Sequence, residues 1–210
     1  MIAGKALLRA SALALCAAAL SACVSLLPKT KPAQLYRFDG APPAAAAPAE
    51  SGPAFGVFKG RGTFDRAAAG DRILTVDGQQ VAYIAEARWA APAVVLFDQA
   101  LARAFDDNVG PARLVSRGQA GRSQYVLQLD VRDFAAVYEN GPKAAPAVLI
   151  RVRASLTRQG DRSLVAEQTF ETKVRAADNR VSAIAAAFDK AVGDVMNKLV
   201  AWTNTSGKSA

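Results

Sequence analysis

Reactive side chains are scarce in these 210 residues, which contain no histidine and only two cysteines, Cys16 and Cys23. Neither a Ser-His-Asp nor a Cys-His catalytic group can form, and the commonest zinc ligand is missing. Gly-x-Ser-x-Gly, Gly-x-x-x-x-Gly-Lys-Ser/Thr and Gly-x-Gly-x-x-Gly are all absent, which removes the hydrolase, nucleotidase and dinucleotide motifs. Carboxylate chemistry has three close pairs to work with: Asp106-Asp107, Asp130 with Asp133, and Glu167 with Glu171. One thiol stands in a distinctive setting. Leu20-Ser21-Ala22-Cys23 places it behind an apolar residue and two small ones, at the end of the apolar run Ala10 to Leu20, which Lys5 and Arg9 precede. This is a lipobox at the end of a short export signal. Small side chains at 21 and 22 let extended backbone enter a peptidase cleft, and the Cys23 sulfur can carry a diacylglyceryl group as a thioether.

That chemistry predicts a bacterial lipoprotein. Residues 1–22 form the signal peptide, and residues 23–34 form the lipidated N-terminus and linker. One acyl chain holds a protein to a bilayer only reversibly, whereas two or more anchor it stably. The competing reading is an uncleaved membrane helix with Cys23 as a bystander. Its apolar run is shorter than the ~20 residues needed to cross hydrocarbon, and Pro28, Lys29, Lys31 and Pro32 close it off. After cleavage the folded part has no thiol, hence no disulfide and no cysteine-based metal site. No cofactor is expected.

The formal charge of +8 falls to +6 once Lys5 and Arg9 leave with the signal. An exported chain does not ordinarily meet nucleic acid, so none is expected as a partner. Anionic head groups or an acidic protein fit the compartment better. Scattered solvated charge is the plainer alternative, because no dense Lys/Arg block occurs.

The elements that must position these groups follow from the hydrophobic period. Leu35-Tyr36-Arg37-Phe38 alternates as a first strand does, before the turn pair Asp39-Gly40 and an Ala/Pro-rich loop at 41–53. Strands follow at Phe55 to Lys59 and Arg72 to Val76, and Asp77-Gly78 turns the second into Gln80 to Ala87. After Arg88-Trp89-Ala90-Ala91, Pro92 opens a helix to about 106, with Val94, Phe97, Leu101, Ala104 and Phe105 on one stripe. Asp106 and Asp107 are then helix-end surface charges. A strand at Arg113 to Arg117 and a loop at Gly118 to Arg122 lead to Tyr125, Leu127, Leu129 and Val131, which alternate with polar neighbours. Beyond Gly141-Pro142, Val148, Ile150, Val152, Ala154 and Leu156 face inward while Arg151 and Arg153 face out.

A hairpin loop at Gln159-Gly160-Asp161 returns Leu164, Ala166, Phe170 and Val174 inward, with Glu167 and Glu171 outward near Arg151 and Arg153. After the caps Asp178 and Asn179, a helix over about 180–202 carries Val181, Ile184, Phe188, Val192, Val195, Leu199 and Trp202 on one face. Residues 204–210 are expected to form a flexible tail. The order predicts an α+β fold: a mainly antiparallel sheet of about six to eight strands, with two helices, about 92–106 and 180–202, on one face.

On these residues the chain resembles the ABC-type transport auxiliary lipoprotein family, whose members accompany MCE (mammalian cell entry) lipid transport systems and include paraquat-inducible protein C. The matching segments are the lipobox, Leu35-Tyr36-Arg37-Phe38, Asp71-Arg72-Ile73-Leu74, Tyr83 through Arg88-Trp89-Ala90-Ala91-Pro92, Asp130-Val131-Arg132-Asp133-Phe134, and Ala187-Phe188-Asp189-Lys190-Ala191 leading to Trp202. The resemblance implies a domain over 35–203 and a non-enzymatic role beside an MCE-domain protein and its ABC permease/ATPase complex. It implies phospholipid or sterol-like lipid as cargo. Val24 stands where Asp would signal inner-membrane retention, so the resemblance implies the periplasmic face of the outer membrane. Candidate partner contacts are Arg88, Trp89, Arg151 and Arg153, although the favoured reading of Trp89 is that it fills a corner of the core at the strand-to-helix junction, with Arg88 bonding nearby carbonyls. Rival readings are an envelope regulator such as a peptidoglycan synthase activator, a carboxylate-dependent enzyme, and a lipid carrier with a groove between helices and sheet.

Overall fold

The computed structural model describes residues 32–40 and 53–208. The expected signal peptide, Cys23 and residues 41–52 of the Ala/Pro-rich loop lie outside the described residues. No described helix is long and apolar enough to cross a membrane.

The spine of the domain is β7, Tyr125–Val137. On one edge it pairs antiparallel with β8, Ala147–Arg158, and β8 pairs antiparallel with β9, Leu164–Arg175. Its other edge is taken by three strands in succession. β2 (Phe55–Lys59) lies beside Tyr125 to Leu127, β3 (Thr63–Phe64) beside Asp130 and Val131, and β4 (Arg72–Asp77) beside Ala136 and Val137, all parallel to β7. β6 (Ala112–Val115) extends the sheet parallel to β2. At the other end β5 (Gln80–Trp89) pairs antiparallel with β4, and β1 (Gln34–Tyr36) pairs parallel with β5.

The α+β class is the one the sequence predicts. The sheet is mixed, however, with nine strands among the described residues rather than six to eight. Alternation reports which face a residue occupies and is silent about its neighbour's direction. The parallel pairings, made by short strands returning through long connections, are therefore invisible locally. β3, two residues long, has no period to read.

Local chemistry explains most boundaries. Gly78 takes φ +57° as the first of two turn residues between β4 and β5, and Gly141 takes φ +83° before β8, conformations open to glycine at no steric cost. α1 spans Ala93–Asp106 behind an extended Pro92, with no side-chain cap. Its first amides are satisfied instead by the Gly70 and Ala69 carbonyls, at 2.9 and 3.3 Å. The buried stripe is Ala93, Leu96, Phe97, Ala100, Leu101 and Phe105, turned slightly from the expected one, since Val94 and Ala104 are only half-buried. A 3-10 turn, Arg117–Arg122, occupies the expected loop.

Three departures have clear causes. In β7 the register against β8 slips between Val131 and Asp133, so Arg132 is extra and the core face passes from Val131 to Phe134. Between β8 and β9 the left-handed residue is Arg162, φ +59°, rather than Gly160. Thr157 opposes Leu164 after a second slip, which puts Leu164 on the water-facing side, 60% exposed, instead of inward.

The last helix, α2, runs Val181–Lys208, so residues 204–208 are helix and not tail. Thr203 is fully buried and Gly207 packs so close to Phe55 that a Cβ there would sit 2.3 Å from its ring. Asn204 Oδ1 accepts from the Ala112 amide at 3.0 Å, and the Tyr125 hydroxyl donates to the Gly207 carbonyl at 2.8 Å. These contacts outweigh fraying. At the other end, Asp178 accepts from the Arg180 amide, while Asn179 is drawn away to Tyr138 and the Pro142 carbonyl.

α1 and α2 pack against each other, and with the sheet they enclose one apolar core. At its centre Trp89 meets Phe38 and Phe188 edge-on, at 5.0 and 5.1 Å, and Phe134 lies 5.0 Å from Phe188 with the rings tilted by 38°. Burial of such side chains, each contributing roughly 1.5–3 kcal/mol, holds the helices to the sheet. The sheet's other face is left to water.

Candidate functional site

The water-facing side of β7, β8 and β9 is a ladder of paired charges. Alternation along β8 aims Arg151 and Arg153 outward, and antiparallel pairing sets acids beside them. Arg151 reaches Glu171 at 2.9 Å and Asp133 at 2.8 Å. Arg153 reaches Glu167 at 2.5 Å. Farther along, Lys173 and Arg175 both contact Glu139. The hydrogen bond to Glu171, then the charge of Asp133, raises the Arg151 pKa; Glu167 does the same for Arg153. The hydrogen bond from Lys173 holds the Glu139 carboxyl below the usual range. All these groups touch solvent, which screens each pair, so the ladder adds little to stability. Their importance is geometric, a fixed two-sign pattern on an open sheet face.

The Glu167 and Glu171 pairing with Arg153 and Arg151 is legible from alternation alone. Asp133 is not: only the extra residue Arg132 brings it level with Arg151. Asp130, its presumed partner in an acidic pair, instead accepts from the Thr63 amide and hydroxyl at 3.1 and 2.9 Å. Asp106 and Asp107 are exposed at the end of α1. Each expected acidic pair is thus committed to strand or helix structure. Among the described residues, no group of three or more His, Cys, Asp or Glu could hold a metal ion.

Arg88 and Trp89 separate. Arg88 is half-exposed and bonds Asp71 through one guanidinium nitrogen at 2.9 and 3.1 Å. Trp89 is 2% exposed, so its expected role in partner contact is corrected: with Phe38 and Phe188 on either side, the indole is core. Between α1, α2 and residues 37–40 lies an open cleft of about 300 Å3 lined by Arg37, Asp39, Ala100, Arg103, Gly193 and Met196. Asp189 fixes its rim by accepting from the Asp39 and Gly40 amides at 2.7 and 3.0 Å.

The comparison that decides the family spans nearly all of this domain. Residues 36–200 match the model of the ABC-type transport auxiliary lipoprotein component. The chain belongs to that family. The family is one of auxiliary lipoproteins associated with a transporter, described by no catalytic activity. Protein XCC0632 from Xanthomonas campestris is similar in structure, with a TM-score of 0.75 and 26% identity over 84% of this chain and 98% of its own. A crystal structure of an uncharacterized protein shares the fold at a TM-score of 0.60 and 12% identity, over 81% of this chain and 98% of its own. Among curated proteins, none is significantly similar to this chain.

Proposed function

We propose that this auxiliary lipoprotein is anchored through acylated Cys23 to the periplasmic face of the outer membrane and docks an ABC/MCE-type intermembrane lipid transporter there. The observation that carries the reading is the family match over residues 36–200. The transporter's MCE-domain protein and ABC permease/ATPase complex are the partners, and phospholipid or sterol-like lipid is the cargo. The lipobox at residues 20–23 supplies the anchor. Docking falls to the open sheet face, where Arg151 and Arg153 stand among fixed acids. Such a two-sign pattern selects a partner with the complementary pattern and rejects one whose like charges meet it, so it supplies specificity more than affinity. Arg88, tied to Asp71, is a second contact on β5, one strand in from the edge strand β1.

The test is capture of the neighbouring MCE-domain protein by the purified full chain. Binding is expected to weaken at least tenfold in an Arg151→Glu/Arg153→Glu variant that keeps its thermal midpoint. Absence of binding at any salt or lipid composition would overturn the docking role.

A further inference from the structure

The chain has no dense basic run, yet its fold makes one. Three segments distant in sequence meet where β7 begins and β8 ends: the 3-10 turn at 117–122, the β8–β9 loop and the last turn of α2. The Gln124 amide donates to the Gly56 carbonyl and the Gln159 amide to the Gln124 carbonyl, at 2.9 and 2.8 Å. Tyr125 opposes Arg158 in the ladder and hydrogen-bonds Gly207 at the end of α2. Arg117, Arg122, Arg158, Arg162 and Lys208 are all exposed at this pole, and in these three segments Asp161 is the only acid. Asp161 is occupied within its own loop, accepting from the Ser163 amide and hydroxyl at 3.0 and 2.8 Å.

None of Arg117, Arg122, Arg158 and Arg162 forms an ion pair with a described residue, whereas Arg151, Arg153, Lys173 and Arg175 on the same sheet are all paired. Between the loop and α2 runs a shallow groove of about 430 Å3, where Arg158 stands beside Ser163, Thr205 and Ser206 and beside the exposed apolar side chain of Leu164.

We propose that this pole is a second membrane contact, lying against anionic phospholipid with its guanidiniums on lipid phosphates and Leu164 among the head groups. Cations and hydroxyls around an exposed leucine suit the boundary between head groups and acyl chains, where long basic side chains keep their charge in the polar layer. A paired, two-sign face such as that of Arg151 and Arg153 has no such bias toward anions. A family of lipoproteins works beside a bilayer, and a tether raises the local concentration of surface so far that a weak electrostatic contact suffices to orient the domain. The open docking face would then stand roughly upright, because it runs along β7 away from this pole. The inference goes beyond the docking role, and either can fail without the other.

The test uses the full chain carrying Cys23→Ser, so that acylation cannot anchor it, and reads the ratio of its binding to phosphatidylcholine vesicles with and without phosphatidylglycerol. Lys5 and Arg9 give the retained signal segment its own preference for anionic vesicles, but that contribution is common to the parent and to every variant, so the comparison between variants carries the test. The expected ratio is well above one and falls steeply with salt, since exposed charges are screened within about 8 Å at physiological ionic strength. Replacing Arg117, Arg122, Arg158 and Arg162 by Gln should reduce it at least a hundredfold, at about fivefold per basic residue. A charge-matched control, Arg66→Gln/Arg132→Gln/Lys143→Gln/Lys190→Gln, should stay within about threefold of the parent, because cations more than about a Debye length from the bilayer surface add little to binding. Near-UV circular dichroism verifies that each variant is folded. A ratio near one for the parent, an undiminished ratio for the fourfold variant, or an equal loss in the control would overturn the proposal. Binding of an acidic polypeptide without binding of anionic vesicles would overturn it in favour of a protein partner.

Discussion

Replacing Trp89 separates a core residue from a contact residue. The indole is 2% exposed and wedged edge-on between Phe38 and Phe188, at 5.0 and 5.1 Å, so Trp89→Ala opens a cavity at the junction of β5, α1 and α2. Large-to-small changes at such sites cost about 3–5 kcal/mol, the lost transfer energy plus the unfilled space. At roughly 2–4 °C per kcal/mol for a domain of this size, the thermal midpoint should drop by about 10 °C. Trp89→Phe keeps an aromatic edge against both neighbours and should cost about 1–2 kcal/mol. Calorimetry of the two variants gives the stability series, and capture of the MCE-domain protein by Trp89→Phe gives the contact readout. Retained capture with a graded loss of stability is expected. A Trp89→Phe chain as stable as the parent that no longer captured its partner would refute the placement of this side chain.

Further outcomes follow from other contacts. Gly62→Ala would put a Cβ 1.8 Å from the Leu129 carbonyl oxygen, so β3 must leave β7, and urea denaturation should show a loss of about 3 kcal/mol or more. Ending the chain after Trp202 removes buried Thr203, the Asn204 bond to Ala112 and the Gly207 bond to Tyr125; the unfolding free energy from urea denaturation should fall by about 3 kcal/mol, whereas an unchanged value would mean these residues fray. Glu139, held low chiefly by the Lys173 hydrogen bond, and Asp178, held low chiefly by that from Arg180, have depressed native pKa values. Their contribution is therefore present above the ordinary carboxylate range of about 4 and is lost as pH falls through the native values. Glu139→Gln/Asp178→Asn should flatten the decline of the thermal midpoint below about pH 4, and a decline as steep as the parent's would contradict this.

How far the fold was legible depended on the range of the determining contact. β8 could be read outright, because Val148 to Leu156 alternates without interruption and every inward residue is fully buried. The same strand's hairpin placed Arg151 and Arg153 beside Glu171 and Glu167. Where one residue breaks the period, local reading fails: Arg132 shifts β7 and brings Asp133 to Arg151, and the slip near Val165 turns Leu164 outward. Trp89 sits at a strand-to-helix junction inside a matching segment, which favours a core corner while leaving partner contact open, and only its burial between Phe38 and Phe188 decides between them. The end of α2 was missed because Thr203-Asn204-Thr205-Ser206-Gly207 has poor helix propensity, and tertiary packing on Phe55 and Tyr125 overrides it. The basic pole has no local signal, since its basic residues come from three segments distant in sequence.

The most direct measurement of the central claim is mass spectrometry of the protein extracted from separated inner and outer membranes, together with whatever it brings with it. The expected result is a chain beginning at an acylated Cys23, found in the outer-membrane fraction with an MCE-domain protein and its ABC permease and ATPase. An unacylated chain that retains residues 1–22, or an acylated one isolated without any transporter component, would contradict it.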